Sequence, residues 1–159
     1  MKTYIVISDS HGRREAVERL RPLFEENDGV VHLGDGASDV RQLALRDPKK
    51  YKVMKGNCDF SGGLEEYEFE EEGVKIFCCH GHRYGVKHGR EALARRAKAL
   101  GCAVALYGHT HTASIEEIDG VMLVNPGALS DWTSPSYCYL VLHNGKATAT
   151  IVPVVKNEF

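Results

Sequence analysis

Met1-Lys2-Thr3-Tyr4-Ile5-Val6-Ile7-Ser8 runs directly into Asp9-Ser10-His11-Gly12, and this junction decides how the chain is read. The apolar run Tyr4–Ile7 is only four residues long. A membrane-spanning helix needs about 20 apolar residues. A secretory leader needs a longer apolar stretch and a small-residue cleavage site. The segment therefore reads as a short first strand, and an intracellular, cytoplasmic protein is expected. The strand ends on a carboxylate and an imidazole. In open α/β sheets, ligand sites form outside the carboxyl ends of strands.

The same pattern recurs downstream. Arg14 to Asn27 carries Ala16, Val17, Leu20, Leu23 and Phe24 at helical spacing. Gly29-Val30-Val31-His32-Leu33 reads as the next strand. Ser38 can cap a helix carrying Val40, Leu43, Ala44 and Leu45, which ends before Pro48. Tyr51–Lys55 is a third strand. This βαβαβ order predicts parallel strands with right-handed crossovers. The second half is richer in strands: Leu64–Glu71, Val74–Cys79, Val104–Tyr107, Ile115–Ile118, Val121–Val124, Tyr137–Leu142 and Lys146–Val152. A helix over Lys87–Leu100 interrupts them. Asp119-Gly120 and Asn144-Gly145 are two-residue hairpin signals. Strands outnumber helices, which predicts two sheets packed face to face with helices outside.

A length of 159 residues fits one domain, 1–159, with a sizeable core. With 20 basic and 22 acidic residues, the net charge of −2 offers no drive toward membrane or nucleic acid. No nucleic-acid partner is expected, and a homo-oligomer is left open. Five cysteines with no CxxC pair exclude a disulfide framework or a cysteine zinc knuckle. Cys78, Cys79, Cys102 and Cys138 read as reduced packing residues.

Five motifs stand at or after strand ends. They are Asp9-Ser10-His11-Gly12, Gly34-Asp35-Gly36, Gly56-Asn57-Cys58-Asp59, His80-Gly81-His82 and Gly108-His109-Thr110-His111. Imidazole and carboxylate together suit divalent transition metals. Asp-x-His and His-x-His are i, i+2 pairs, which face one side if the backbone is extended. Singly, each motif also has a bland reading: a turn, a cap or a satisfied core histidine. Together they hold too many ligands for one ion and suit two ions sharing a carboxylate.

In this order the motifs resemble those of the calcineurin-like metallophosphoesterase superfamily. Ser8-Asp9-Ser10-His11-Gly12, Gly56-Asn57-Cys58-Asp59 and Asn125-Pro126-Gly127 are similar to those of its YfcE-type phosphodiesterases. The resemblance implies an α/β fold of four layers, an α-β-β-α sandwich of two mixed sheets flanked by helices. It implies one metal on Asp9, His11 and His111, and a second on Asn57, His80 and His109, with Asp35 bridging. Two divalent ions are implied: Mn expected, with Ni, Fe, Zn or Mg as alternatives. A bridging hydroxide would attack the phosphorus of a small phosphate ester. Many superfamily members carry His where this chain has Cys58, so the proton donor is open. Cys58, His82 and Asp59 are the catalytic candidates, Asp59 by orienting a metal-bound histidine. Asn57, His82 and Arg13 are expected to meet substrate. Trp132 reads equally as a substrate-stacking residue or a packing contact. The rival reading is a scaffold like the retromer subunit Vps29, whose metal site is degraded. The complete ligand set here favours an enzyme.

Overall fold

The computed structural model describes residues 1–155. One five-stranded sheet has the order β10-β9-β1-β2-β3, formed by Lys146–Pro153, Ser136–His143, Lys2–Ile7, Gly29–His32 and Tyr51–Val53. Strands β1, β2 and β3 are parallel, and β9 runs antiparallel to both β1 and β10. The second sheet has the order β4-β5-β6-β8-β7, formed by Glu66–Glu71, Val74–Cys79, Val104–Leu106, Val121–Asn125 and Ser114–Ile118. It is mixed as well: β5, β6 and β8 are parallel, with antiparallel partners at the edges.

Side-chain alternation builds the layers. On β1, Tyr4 and Val6 enter the cluster between the sheets, where they join Ile76, Cys78, Val104 and Leu106. Ile5 and Ile7 point the other way, against Val17, Leu20, Phe24, Val40 and Leu43 of the helical side. On β5, Phe77 and Cys79 likewise turn outward to Leu93, Ala94 and Ala97 of α4 (Glu91–Ala99). Central strands buried on both faces lose the polar alternation of a one-sided sheet. The expected α-β-β-α sandwich is the fold observed. The cysteines at 78, 79, 102 and 138 are free and buried.

The hairpin signals hold. Asp119-Gly120 and Asn144-Gly145 have φ of 51 and 80°, and 47 and 78°, as a primed two-residue turn requires. Three helical expectations need correction. The segment 14–27 is two helices, α1 (Arg14–Glu18) and α2 (Arg21–Glu26). Pro22 lacks an N–H and would clash with the carbonyl four residues back, so a new helix starts there. Ser38 caps nothing: Ala37–Asp39 is a 3₁₀ turn and α3 begins at Arg41 (Arg41–Arg46). The helix expected over 87–100 begins only at Glu91, and Arg90, just before it, donates its Nε–H to Glu116 Oε1 at 2.7 Å. No helix among the described residues is long and apolar enough to cross a membrane.

Leu106 is fully buried between the sheets, whereas Leu45 is 72% exposed. Leu106→Ala should cost about 2–5 kcal/mol in urea unfolding, and Leu45→Ala within about 0.5 kcal/mol. Equal losses at the two sites would contradict this core.

Candidate metal centre

The ends of β1, β2, β5 and β6, and the loop after β3, deliver the five motifs to one edge of the sandwich. Three potential ligand atoms meet first: Asp9 Oδ1 lies 3.3 Å from His11 Nε2 and 3.1 Å from His111 Nε2, and the two nitrogens are 3.2 Å apart. A second group gathers Asp35, His80 and His109. His80 Nε2 is 3.2 Å from Asp35 Oδ2 and 3.2 Å from His109 Nδ1. The groups adjoin, because Asp35 Oδ2 is also 3.7 Å from His11 Nε2. Ligand atoms around one divalent cation at 2.0–2.2 Å lie roughly 3 to 3.5 Å apart. The donor set therefore has the spacing of ligands around divalent cations.

Each carboxylate gives one oxygen to the protein and turns the other to the site. Asp9 Oδ2 accepts from the Ser8 hydroxyl and from the His109 N–H at 3.0 Å. Asp35 Oδ1 accepts from the Cys58 N–H at 2.8 Å. His80 Nδ1 faces the Leu33 carbonyl at 2.8 Å. A carbonyl only accepts, so Nδ1 carries a proton and Nε2 is the nitrogen left to serve the site. Burial opposes ionisation of Asp35, but the hydrogen bonds from His80 and Cys58 outweigh it and hold its pKa below the usual carboxylate range. Burial alone would lower His80; its hydrogen bond to Asp35 reverses the sign.

The i, i+2 pairs converge for a different reason from the one expected. The segments are not extended. Asp9, His11, Asp35, His109 and His111 all have positive φ, between 45 and 70°. This left-handed region is several-fold enriched in Asn, Asp and His, and it clusters at functional sites. Two glycines clear space for the carboxylates. A Cβ at Gly56 would lie 2.1 Å from Asp35 Oδ1, and one at Gly108 would lie 2.7 Å from Asp9 Oδ2.

The remaining candidates divide. Asn57 is exposed, and its Nδ2 lies 3.6 Å from Cys58 Sγ, its only described contact. Cys58 forms a third ligand group with His11 and Asp35. Burial and then Asp35 raise its pKa. Asp59 does not hold a histidine. Its two oxygens accept the backbone N–H groups of Asp35, Gly36, Ala37 and Gly56 at 2.8–3.1 Å, so it locks the Asp35 loop to the Asn57 loop. The His82 ring sits 5.4 Å from His80 and 6.1 Å from His109, and its buried Nδ1 has no protein partner. Burial, then His80, lower its pKa. Arg13 is engaged with the Ser130 carbonyl at 3.3 Å and Glu15 at 3.5 Å.

Residues 1–146 match the family model for the calcineurin-like phosphoesterase superfamily domain. The chain belongs to this superfamily. It is 35% identical over 159 aligned residues to the probable metallophosphoesterase YsnB of Bacillus subtilis, covering 97% of this chain and 92% of that protein. It is 26% identical over 140 residues to the phosphodiesterase MJ0936 of Methanocaldococcus jannaschii, covering 77% and 81%. A Vps29 of Entamoeba histolytica solved with Zn²⁺ shares the fold, with a TM-score of 0.73, 22% identity, and coverage of 95% and 98%.

Several supports of this candidate site come from residues outside the assigned ligand set. Asn125 Nδ2 donates to the Gly108 carbonyl at 3.1 Å and to Thr110 Oγ1 at 2.9 Å, bracing the His109–His111 loop. His32, at the end of β2, is buried and polar-bonded. Its Nδ1 accepts the Gly34 N–H at 3.1 Å, so Nε2 carries the proton and donates to Ser10 Oγ at 2.9 Å. The Ser10 hydroxyl in turn donates to Asp39 Oδ2 at 2.6 Å. This chain ties the Asp9–His11 loop to the Asp35 loop.

Two predictions follow from these ties. Asp59→Asn places an NH₂ group among four N–H donors, and competition with a chelating dye should show metal affinity reduced about 10–100-fold; unchanged affinity would remove Asp59 from the support. Burial lowers the His32 pKa to about 4, against about 6.5 in the unfolded chain. Between these values only the unfolded chain binds the proton, so His32 removes up to about 3 kcal/mol of stability as pH falls from about 6.5 to 4. Urea unfolding of chelated protein at pH 7 and 4.5 measures the loss, and His32→Gln should show a smaller one. Identical acid sensitivity in both proteins would refute the assignment.

Proposed function

We propose that this chain is a cytoplasmic phosphodiesterase that hydrolyses a small phosphate ester at a two-metal centre. The observation that carries the reading is the pair of ligand groups meeting at Asp35 Oδ2, 3.2 Å from His80 and 3.7 Å from His11. One ion is assigned Asp9, His11 and His111; the other is assigned Asn57, His80 and His109; Asp35 bridges. Mn is the expected metal, with Ni, Fe, Zn and Mg as alternatives. Ions held there supply an acidified water and positive charge against the phosphoryl oxygens.

The chain's own residues do the rest. The backbone anchors on Asp9 Oδ2, Asp35 Oδ1 and His80 Nδ1 keep the ligand atoms in place before substrate arrives. Cys58 holds its proton at neutral pH, since its pKa is raised, and it is the candidate donor to the leaving oxygen. His82 is assigned to a phosphoryl oxygen as a hydrogen-bond donor, and its Nδ1 has no protein partner. Asp59 acts through the loop it locks. A cytoplasmic location agrees with five unpaired cysteines. The intact ligand set weighs against a purely scaffolding role of the Vps29 kind.

Bis(p-nitrophenyl) phosphate and p-nitrophenyl phosphate, assayed after chelation and again with each metal restored, test the reading. We expect faster hydrolysis of the diester, activity only with metal, and strongest rescue by Mn²⁺. Asp35→Asn and His80→Ala should each lower kcat at least about a hundredfold while circular dichroism stays native. Wild-type rates in both variants would sink the assignment.

A further inference from the structure

His80 and His109 are assigned to one ion, and each leads into a segment that the mechanism does not use. After His80 and the 3₁₀ turn His82–Tyr84, the chain runs on to Val86, Lys87 and Arg90. After His109 it runs through Thr110 and His111 to Thr112. Residues of these two segments, with Tyr107, line a cavity of about 370 Å³. Direct contact joins this cavity to the metal centre. A Cβ on Gly81, between His80 and His82, would lie 3.1 Å from Val86 Cγ2 and 3.4 Å from Tyr107 Cβ. Thr110, also in the lining, stands between His109 and His111. Burial, then His80 and Lys87, lower the pKa of His109, so the Lys87 charge reaches the ligand loop.

The cavity carries one uncommitted cation. Arg90 gives its Nε–H to Glu116 at 2.7 Å and an Nη1–H to the Val86 carbonyl at 3.5 Å. Lys87 is exposed, and no carboxylate among the described residues pairs with it. The wall beside it is held in advance: Thr110 Oγ1 accepts from Asn125 Nδ2 at 2.9 Å and from the Thr112 N–H at 3.2 Å. Little ordering cost therefore opposes binding there.

We propose that this cavity is a second phosphoryl subsite. The substrate is a phosphate ester whose alcohol part carries another phosphoryl group, held by Lys87 while the reacting phosphate lies at the metal centre. The proposal rests on the phosphoesterase reading and narrows its substrate class. The chemistry favours phosphoryl over carboxylate. The planar fork that grips a carboxylate through two parallel bonds belongs to Arg90, and Glu116 already occupies it. An ammonium is instead a compact point charge with three rotatable donors, a form in which proteins commonly hold phosphate. The volume lies within the range of small-molecule sites, about 300–1,000 Å³.

Calorimetric titration of the Mn²⁺-loaded chain tests the subsite without turnover. The probes are mono- and bisphosphates of linear alkanediols of graded length. At the length that spans metal centre and cavity, the bisphosphate should bind about tenfold more tightly than its monophosphate. Lys87→Gln should erase this gain. Lys98→Gln, which removes an equal charge from an exposed position near the other end of α4, should keep it. A gain at no length, a gain that survives in Lys87→Gln, or one lost equally in Lys98→Gln would overturn the subsite. A chain that shows the Lys87-dependent gain but hydrolyses no diester would keep the subsite and sink the hydrolase reading. An active chain without the gain would sink the subsite alone.

Discussion

Asp9 and Asp35 are nearly inaccessible to water, and each has one oxygen tied to backbone N–H and the other turned toward imidazole nitrogens. Buried charge is costly unless it is paired or bound to a cation. Here the inward oxygens, Asp9 Oδ1 and Asp35 Oδ2, are faced by the imidazole nitrogens of His11, His80 and His111. Divalent cations would satisfy all of these atoms at once. The rest of the structure exists to hold that arrangement together.

Holding it is costly in backbone terms. Five candidate ligand residues adopt left-handed φ, and for L-residues this conformation costs about 1–2 kcal/mol each. The sandwich absorbs the cost by tying the loops to one another. Asp59 joins the Asp35 and Asn57 loops, Asn125 braces the His109–His111 loop, and the His32–Ser10–Asp39 chain joins the first loop to the second. Each of these ties joins two strand ends of one sheet, whereas His109 N–H on Asp9 Oδ2 and His80 Nδ1 on the Leu33 carbonyl cross between the sheets, so both sheets must be packed before the site can form.

Much was legible in the sequence because the signals were local. Strand alternation, the Asp119-Gly120 and Asn144-Gly145 turns, and the glycine-led motifs all depend on neighbours within a few residues. Pro22 was equally local, and its helix break was readable from the missing N–H alone. The convergence of the i, i+2 pairs was anticipated for the wrong reason, because backbone sign at Asp9 or His111 depends on the loops that press on it. The role of Asp59 was hidden for the same cause. Its four partners come from Asp35, Gly36, Ala37 and Gly56, three of which are more than 20 residues away.

Residue types and their order therefore determined the two-sheet class, the strand ends and the family, since burial period, turn chemistry and metal-ligand character are properties of short segments. Tertiary structure alone decided which carboxylate oxygen faces inward, which histidine nitrogen is left to serve the site, and that the Arg13 guanidinium lies over Trp132. Those choices are made by hydrogen bonds and contacts between segments up to about a hundred residues apart, and no short stretch of chain contains both partners.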